Sequence, residues 1–370
     1  MEADGRCKLY HILTCSYPHL RSFNRLPLRA EFKATKDLHF KGLPENYFVY
    51  SMTRMQGSLY LMRLYNGDTG GHESYCTDVD TLIATRLMLN IGNATNSSFV
   101  DGQLLIVMRY GQPMVILRDL QVIGEVVFDI KHEYCKNGHF IRGRYAQEGS
   151  HSVYAVDRHT GLYRIEWREI KDDKYVKTLK TLLQTNVKNF YVDVILGLAT
   201  LNMDNILTLP SKTIVDLKAK VNYEATWTIV TCIAECWIVC GEQNLEGRAI
   251  MVRVNNQGNI RSTLKLKLTS NGYMNEIDGI KFSGIFSLHQ VYVRGRRGIM
   301  LAIERDGCCH LISVTYGRLS KLQSIDSIVN FNLVESQSER IVHCVTATGI
   351  KGEFIAGGWN WSKLISLKLK

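Results

Sequence analysis

The sequence has few of the features that mark a disordered, disulfide-stabilised or membrane-spanning protein. Only five of its 370 residues are proline, and no low-complexity tract interrupts it, which predicts a chain folded throughout. The ten cysteines include no Cys-x-x-Cys pair, so reduced thiols are favoured over a disulfide scaffold. Apolar runs such as Ile229–Val239 contain a charged residue and are shorter than the roughly 18 residues of a membrane span.

The N-terminus also lacks the features of a secretion signal. Met1–Arg6 is polar and no apolar stretch follows it, so the sequence predicts no signal peptide. We therefore expect a nuclear or cytoplasmic protein with no membrane association. In either compartment the Asn-x-Ser/Thr sequons at Asn93, Asn96 and Asn360 would stay unmodified.

Basic residues outnumber acidic ones, and the formal net charge is +10. A surface of this sign attracts nucleic acid, acidic proteins or anionic lipid. The basic residues are spread along the chain and form no Lys/Arg-rich tail, which favours a generally basic surface over a dedicated nucleic-acid groove. We expect other protein subunits as partners, with nucleic acid as the second candidate.

Strand patterns occur along the whole chain, whereas helical periodicity is scarce. Short runs rich in Val, Ile, Tyr, Phe and Thr are separated by Gly, Asn and Asp, as in the hairpin turns Asn66-Gly67 and Asp306-Gly307. The runs that predict strands are Tyr47–Thr53, Leu59–Leu64, Gln103–Arg109, Met114–Leu120, Ser152–Val156, Tyr163–Trp167, Trp237–Cys240, Ala249–Val254, Gly298–Ile303 and His310–Val314.

A strand–turn–strand unit recurs seven times, at a mean spacing of about 53 residues. This recurrence predicts an all-β fold, a single seven-bladed β-propeller that occupies residues 1–370. Two facing sheets would also accept many short strands, but they would not explain a sevenfold recurrence. The units are Tyr47–Leu64, Gln103–Leu120, His139–Val156, Asn205–Leu217, Cys236–Val254, Gly298–Val314 and Glu353–Leu367.

The predicted propeller is of a non-WD type, and its two ends suggest how the ring closes. The five tryptophans hold no Gly-His to Trp-Asp register, and Gly-Gly doublets do not recur at the blade period. The last unit lacks an outer strand, and Lys8–Tyr17 resembles a lone strand without a partner. We expect 8–17 to supply that outer strand, with 19–36 as a basic connecting segment.

No catalytic motif stands out, and we predict a protein that is not an enzyme. Asp68-Thr69-Gly70 matches the aspartic-protease triplet, but that chemistry needs a second carboxylate of the same kind, and the sequence has no second triplet. We interpret it as a loop. An enzyme with its active site in the propeller funnel stays an alternative, and carboxylates such as Asp193 or Asp278 would then point into the channel.

The sequence predicts no metal site and no cofactor. Cys232, Cys236 and Cys240 are evenly spaced by four, whereas metal sites usually need closer pairs. We interpret the three as buried core residues on one face of an extended strand, where a free cysteine behaves as a small hydrophobe. The eleven histidines form no His-x-His or His-x-x-x-His pair.

The densest group of basic residues is Arg294-Gly295-Arg296-Arg297-Gly298. Arginine can bind phosphate or carboxylate in a bidentate manner, so Arg294, Arg296 and Arg297 are candidate partner-binding residues. Arg142 and Arg144 form a weaker copy. The alternative interpretation is a solvated loop between two strands.

Ser327–Phe354 resembles the end of the first propeller in the triple β-propeller family. That family includes the large subunit of UV-damaged DNA-binding protein and the A subunit of the cleavage and polyadenylation specificity factor. Gly57-Ser58-Leu59 matches the strand–turn element of the same family. Ser327, Asn330 and Val345-Thr346 depart from the pattern. The positions that match it at the chain's end are Ile328, Phe331, Val342, Cys344, Gly352 and Phe354.

The resemblance implies a non-catalytic interaction propeller in a nuclear assembly, either a ubiquitin-ligase adaptor or an RNA-processing complex. The family has three propellers, whereas 370 residues have room for one. A propeller that binds nucleic acid directly is the alternative within the same fold.

Overall fold

The computed structural model places Glu31–Lys370 in one compact unit. Regular structure is almost entirely antiparallel sheet. The residues that the structure describes are 32–55, 57–88, 94–100, 104–109, 112–126, 151–157, 161–169, 176–193, 195–221, 225–243, 248–268, 275–277, 280–282, 285–294, 297–304, 309–315, 318–325, 341–348, 353–359 and 364–369.

The first described strand, β1 (Phe32–Leu38), belongs to sheet 7, described below. The first four sheets then follow one another along the chain. Sheet 1 contains β2 (Tyr47–Arg54), β3 (Leu59–Asn66), β4 (Gly71–Asp78) and β5 (Ile83–Leu87). Sheet 2 contains β6 (Ala94–Val100), β7 (Leu104–Arg109), β8 (Gln112–Arg118) and β9 (Gln121–Val126). Sheet 3 contains β10 (His151–Asp157), β11 (Gly161–Glu169) and β12 (Val176–Gln184). Sheet 4 contains β13 (Val187–Asp193), β14 (Gly197–Asn202), β15 (Ile206–Thr208) and β16 (Ile214–Asp216), followed by the short helix α1 (Leu217–Lys220).

Three larger sheets and one small pair complete the described structure. Sheet 5 contains β17 (Thr226–Ile233), β18 (Cys236–Gln243), β19 (Arg248–Val254) and β20 (Ile260–Lys267). The small pair is β21 (Asn275–Ile277) and β22 (Ile280–Phe282). Sheet 6 contains β23 (Ile285–Arg294), β24 (Arg297–Glu304), β25 (Cys309–Thr315) and β26 (Arg318–Ile325). Sheet 7 contains β27 (Ile341–Ala347), β28 (Glu353–Trp359) and β29 (Leu364–Leu369).

Each sheet contacts the next one in sequence order. The first strands make many of these contacts, as in the pairs β2–β6, β10–β13, β13–β17 and β17–β23. Outer strands also meet, in the pairs β9–β12 and β20–β26. The last sheet contacts the first, since β27 and β28 both lie against β2. Consecutive antiparallel sheets in this arrangement define the β-propeller class.

Separate hydrophobic clusters join the neighbouring sheets. Between sheets 4 and 5 the cluster contains Trp227 and Trp237, both fully buried, together with Val215 and Leu217. Similar clusters join sheet 7 to sheet 1, sheet 1 to 2, 2 to 3, 3 to 4, and 5 to 6. A middle strand is therefore covered on both faces, and β19 is buried at six consecutive residues after Arg248. Outer strands such as β20 instead alternate between partly or fully buried residues and exposed ones.

The strand that completes sheet 7 is β1. It pairs antiparallel with β29, so the strand order is β1-β29-β28-β27. The sequence predicted the completing strand at 8–17, which lies outside the described residues, and a connecting segment at 19–36. In the structure 32–36 belongs to the completing strand. Its alternation of Lys, Thr and Asp with few apolar residues is what an outer strand needs, and this composition concealed it.

Six of the seven predicted hairpin units coincide with described hairpins, but they mark different strands of their sheets. Most cover the second and third strands, as Cys236–Val254 covers β18 and β19. Asn205–Leu217 instead covers β15 and β16, the outer pair of sheet 4. The fourth unit therefore marks later strands of its sheet than most other units do, and this places it close in sequence to the fifth unit, Cys236–Val254. The first half of the unit His139–Val156 lies outside the described residues.

His289, on the first strand of sheet 6, is a pH-sensitive point of the fold. Its ring meets the ring of Phe354 in sheet 7 edge to face, with centroids 5.6 Å apart. The Nε2 atom is buried and has no hydrogen-bond partner among the described residues. Desolvation by burial lowers the pKa of His289 to about 4. The neutral imidazole is therefore the form that the folded protein accommodates.

We expect the free energy of unfolding to fall as the pH drops below about 6.5, because the unfolded chain then binds a proton that the folded chain resists. The stabilisation that depends on neutral His289 is fully present above that pH, and about 1–2 kcal/mol of it is lost at pH 5. Urea unfolding at pH 7 and pH 5 measures the loss. His289→Phe keeps an aromatic ring against Phe354 and should remove this part of the pH dependence. An unchanged pH dependence in that variant would show that other groups cause it.

Candidate functional site

The structure places the predicted arginines only in part. Arg294 ends β23 and Arg297 begins β24, and the two are register partners across the turn. The turn thus joins the first two strands of sheet 6. Arg296, Arg142 and Arg144 lie outside the described residues. The partner-binding role of all five stays a prediction.

Asp68-Thr69-Gly70 forms a turn between β3 and β4, as the loop interpretation predicted. Asn66 Oδ1 accepts hydrogen bonds from the backbone N–H groups of Asp68 and Thr69, at 2.9 and 3.3 Å. Asn46 Nδ2 donates to the Asp68 carboxylate at 2.7 Å. The carboxylate therefore joins the turn between β3 and β4 to the segment that precedes β2. Asp193, the described candidate of the enzyme alternative, caps its own turn by accepting from the N–H groups of Ile195 and Leu196; Asp278 lies outside the described residues.

The arrangement around Asp68 is repeated in sheet 4. Asn186 precedes the first strand of that sheet as Asn46 does in sheet 1, and its Nδ2 donates to Asp204 at 2.7 Å. Asn202 Oδ1 accepts from the Asp204 N–H, as Asn66 does from Asp68. The shared pattern is an asparagine before the first strand and Asn-x-Asp after the second. It is a repeat signal that the sequence analysis did not use.

The three evenly spaced cysteines are buried, as predicted, but they do not share one strand face. Cys232 lies near the end of β17, whereas Cys236 and Cys240 lie in β18, after the two-residue turn that joins the strands. Cys232 packs toward sheet 4 and Cys240 toward sheet 6. Burial raises the pKa of both thiols. The one-face prediction was wrong because Ala234 and Glu235 adopt positive φ angles of 52° and 60° and reverse the chain.

The described residues contain no group of three or more His, Cys, Asp or Glu side chains that could hold a metal ion. Within the same part of the chain, no helix is long and apolar enough to cross a membrane.

An exposed basic surface lies where the outer edges of sheets 4 and 5 meet. Sheet 4 is narrow there, because β15 and β16 have only three residues each, whereas β20 has eight. On β20, Leu266 is buried against sheet 6, and Ser262 Oγ accepts a hydrogen bond from the Leu319 N–H of that sheet. Thr263 and Lys265 are register partners of Val252 and Ile250, which pack toward sheet 4, so this face of β20 points toward sheet 4. Its residues are exposed because the short strands do not cover them.

Nearly all of the charged side chains exposed on these two edges are cationic. We call this surface the basic ledge. The segments 209–221 and 248–268 together contain eight Lys or Arg residues and one carboxylate, Asp216. That carboxylate is engaged as the N-cap of α1, accepting from the Ala219 N–H at 2.9 Å. The ledge residues are Lys212, Lys218, Lys220, Arg261, Lys265 and Lys267, all exposed.

Contacts between the two sheets hold the ledge in place. Lys220 Nζ donates to the Gly258 carbonyl at 3.1 Å, and Ser211 Oγ donates to the Asn256 carbonyl at 3.2 Å. Trp237, which belongs to the buried cluster between these sheets, donates a hydrogen bond from Nε1 to Asn256 Oδ1 at 3.0 Å. Gly258 has a positive φ of 77°, and a Cβ there would lie 2.7 Å from the Thr213 side chain. The turn 255–259 is therefore fixed against sheet 4.

The sequence analysis missed this surface because its residues are far apart in the chain. The local signal was the alternation Leu264-Lys265-Leu266-Lys267, which is typical of a strand with one solvated face. That alternation identifies an outer strand. The convergence with Lys212, Lys218 and Lys220 depends on how sheets 4 and 5 pack, and hairpin patterns do not encode it.

Comparison with solved structures agrees with the class that the sheets define. The chain resembles Sqt1 from Chaetomium thermophilum, with a TM-score of 0.54 and 11% identity over 92% of this chain and 100% of that one. It also resembles the WD40 beta propeller domain of Doa1, with a TM-score of 0.50 and 10% identity over 92% of this chain and 97% of that one. An oligogalacturonate lyase in complex with manganese gives a TM-score of 0.52 and 11% identity over 92% and 96%.

Sequence comparison finds neither a matching family model nor a similar curated protein. At these identities the structural likeness shows the fold alone: the protein has a β-propeller fold.

Proposed function

We propose that this chain is a non-catalytic interaction propeller, with seven blades in a ring closed by β1, that binds other subunits of an assembly. The basic ledge carries the proposal. Six exposed cations stand on two contacting edges, and Asp216, the one carboxylate within 209–221 and 248–268, is engaged in a helix cap. A surface with one sign of charge steers and orients partners of the opposite sign.

Fold alone does not decide between binding and catalysis, since propellers serve both. The lyase among the similar structures keeps the enzyme alternative in view. Against it stands the role of Asp193, whose carboxylate accepts two backbone hydrogen bonds of its own turn. A structural cap of this kind is a poor general acid or base, because its oxygen is already engaged.

A nuclear assembly is the setting that the family resemblance favours. Gly57, in the matching Gly57-Ser58-Leu59, has a positive φ of 59° in the turn between β2 and β3. Val342 and Phe354, matched at the chain's end, lie on the paired strands β27 and β28. Both elements are thus hairpins of the first two strands, in adjoining sheets. We propose a ubiquitin-ligase or RNA-processing complex, with Arg294, Arg296, Arg297, Arg142 and Arg144 as a second contact region.

We expect purification of the tagged protein from cells to recover a set of protein partners that survives nuclease treatment. Lys265→Glu with Lys267→Glu should remove most of the partners that use the ledge. The matched control is Arg168→Glu with Lys177→Glu, an exposed cross-strand pair at the edge of sheet 3. Mass spectrometry of the purified complexes gives the readout.

Glutamate at Arg294, Arg296 and Arg297 tests the second region in the same assay. Partners that disappear with nuclease would transfer the function to nucleic-acid binding. Recovery of no partner in any arm would contradict the scaffold role and would favour the alternative of an enzyme with its active site in the propeller funnel.

A further inference from the structure

The outermost strand of sheet 5 combines an open edge with a regular row of cations. β20 is the last strand in the order β17-β18-β19-β20, and no described strand pairs with its outer side. Lys265 and Lys267 are exposed on the face that looks toward sheet 4, and Arg261 is exposed at the register shift near the beginning of the strand. Residues two apart on one strand face lie about 7 Å from each other. The row therefore has the spacing of a β-strand.

Two further cations belong to the neighbouring sheet, beside the turn that leads into β20. Lys220 reaches across to the Gly258 carbonyl at the beginning of β20, and Lys218 is exposed on the same helix. Val215 and Leu217 below them share a buried cluster with Val252 and Val254 of sheet 5. A chain lying along β20 would thus have cations beside it from two sheets.

We propose that β20 accepts an extended acidic segment of a protein partner as a further antiparallel or parallel strand. Backbone groups of the segment would pair with the open edge, and carboxylates at alternate positions would face Lys265 and Lys267. Opposite charges on directly opposed cross-strand positions stabilise such a pairing. This inference rests on the proposed scaffold function and names the chemistry of the partner.

The composition of the ledge favours an acidic peptide over nucleic acid. The segments 209–221 and 248–268 contain no aromatic residue. Proteins that bind single strands commonly stack the bases on aromatic side chains, and these segments offer no such ring. Contacts to duplex phosphates would need only the cations, so duplex DNA serves as a comparison probe.

Lysines on an edge strand can also protect it from aggregation. That role explains the row on β20, since a charged edge repels a second copy of itself. It does not explain Lys218 and Lys220, which stand on the helix of the neighbouring sheet. The two interpretations differ in what an acidic strand should do: a protective edge stays unpaired with it, whereas a binding edge pairs.

The test measures fluorescence anisotropy of labelled peptides titrated with the full chain. One peptide alternates glutamate with valine, and the second alternates glutamate with proline. The second keeps the charge, but it loses every second N–H group, and its prolines hold φ at about −65°, away from the extended φ of a paired strand. We expect the valine peptide to bind at least about tenfold more tightly than the proline peptide. Lys265→Glu with Lys267→Glu should weaken the valine peptide by about tenfold or more, and Arg168→Glu with Lys177→Glu should leave it unchanged.

Equal binding of the two peptides would overturn strand pairing and leave only charge attraction. Tighter binding of duplex DNA than of the valine peptide, lost in the ledge variant, would reassign the ledge to nucleic acid. Equal weakening by the sheet 3 control would remove the ledge as the site. None of these outcomes touches the scaffold function, which fails separately if the cellular purification recovers no protein partner.

Discussion

Replacing Trp237 with alanine is expected to lower the free energy of unfolding by about 3–5 kcal/mol, in the range of large-to-small substitutions of buried aromatic residues. The indole is fully buried in the cluster between sheets 4 and 5. Its removal opens a cavity at that junction and also deletes the Nε1 hydrogen bond to Asn256. The turn 255–259 at the base of β20 loses its attachment to the core, so the basic ledge should loosen as well. Urea unfolding followed by fluorescence or circular dichroism measures the loss.

Two further variants separate packing from the hydrogen bond. Trp237→Phe keeps much of the buried volume and should cost clearly less than alanine. Asn256→Ala removes the acceptor alone, and a loss of about 1 kcal/mol is expected from one hydrogen bond. If Trp237→Ala unfolded at the same urea concentration as the original protein, the junction would not contribute to stability as described.

The sequence predicted the strands that neighbouring sheets cover on both faces. All ten predicted strands coincide with described ones, as Ala249–Val254 does with Arg248–Val254. These strands are continuous apolar runs, because each residue packs on one adjoining sheet or the other. Burial on two faces gives a strand a continuous apolar pattern, so it can be recognised from the local sequence alone.

Outer strands were harder to recognise, because solvent covers part of them. β20 and β26 mix Lys, Arg and Ser with single apolar residues, as loops do. β1 was placed too early in the chain for the same reason. A strand of this kind is defined by its pairing with another strand, and β1 pairs with a segment more than 300 residues away. Local periodicity carries no information about that partner.

The candidate site depends on the same long-range packing. Arg294, Arg296 and Arg297 were conspicuous because they are adjacent in sequence. Lys220 and Gly258 are 38 residues apart and come into contact because sheets 4 and 5 share a buried cluster. The short length of β16 then decides that the cations of β20 face solvent. Sequence clusters reveal local charge, whereas a surface built by two sheets requires the fold.

Sheet 6 contains a buried polar pair that the sequence analysis passed over. Glu304 ends β24 and His310 lies on β25, and their side chains are 0–1% exposed. Glu304 Oε1 and His310 Nε2 are 2.5 Å apart. A polar group at this depth is tolerated only with a partner, since burial without a hydrogen bond costs free energy.

Removing one member of this pair should therefore destabilise the protein by about 3–5 kcal/mol, because the other is left buried without its partner. His310→Ala and Glu304→Ala are the single variants, and Glu304→Gln should cost less because an amide oxygen can still meet the ring nitrogen. Replacing both residues with leucine should recover part of the loss, since neither member of the pair is then left facing an apolar side chain. Urea unfolding of the four proteins of a double-mutant cycle, which are the original protein, the two alanine variants and their double alanine variant, gives the coupling energy. Additive losses would show that the two side chains contribute independently, whereas a coupling of 1 kcal/mol or more, the size expected of residues that share a hydrogen bond, identifies the pair as one unit of the core of sheet 6.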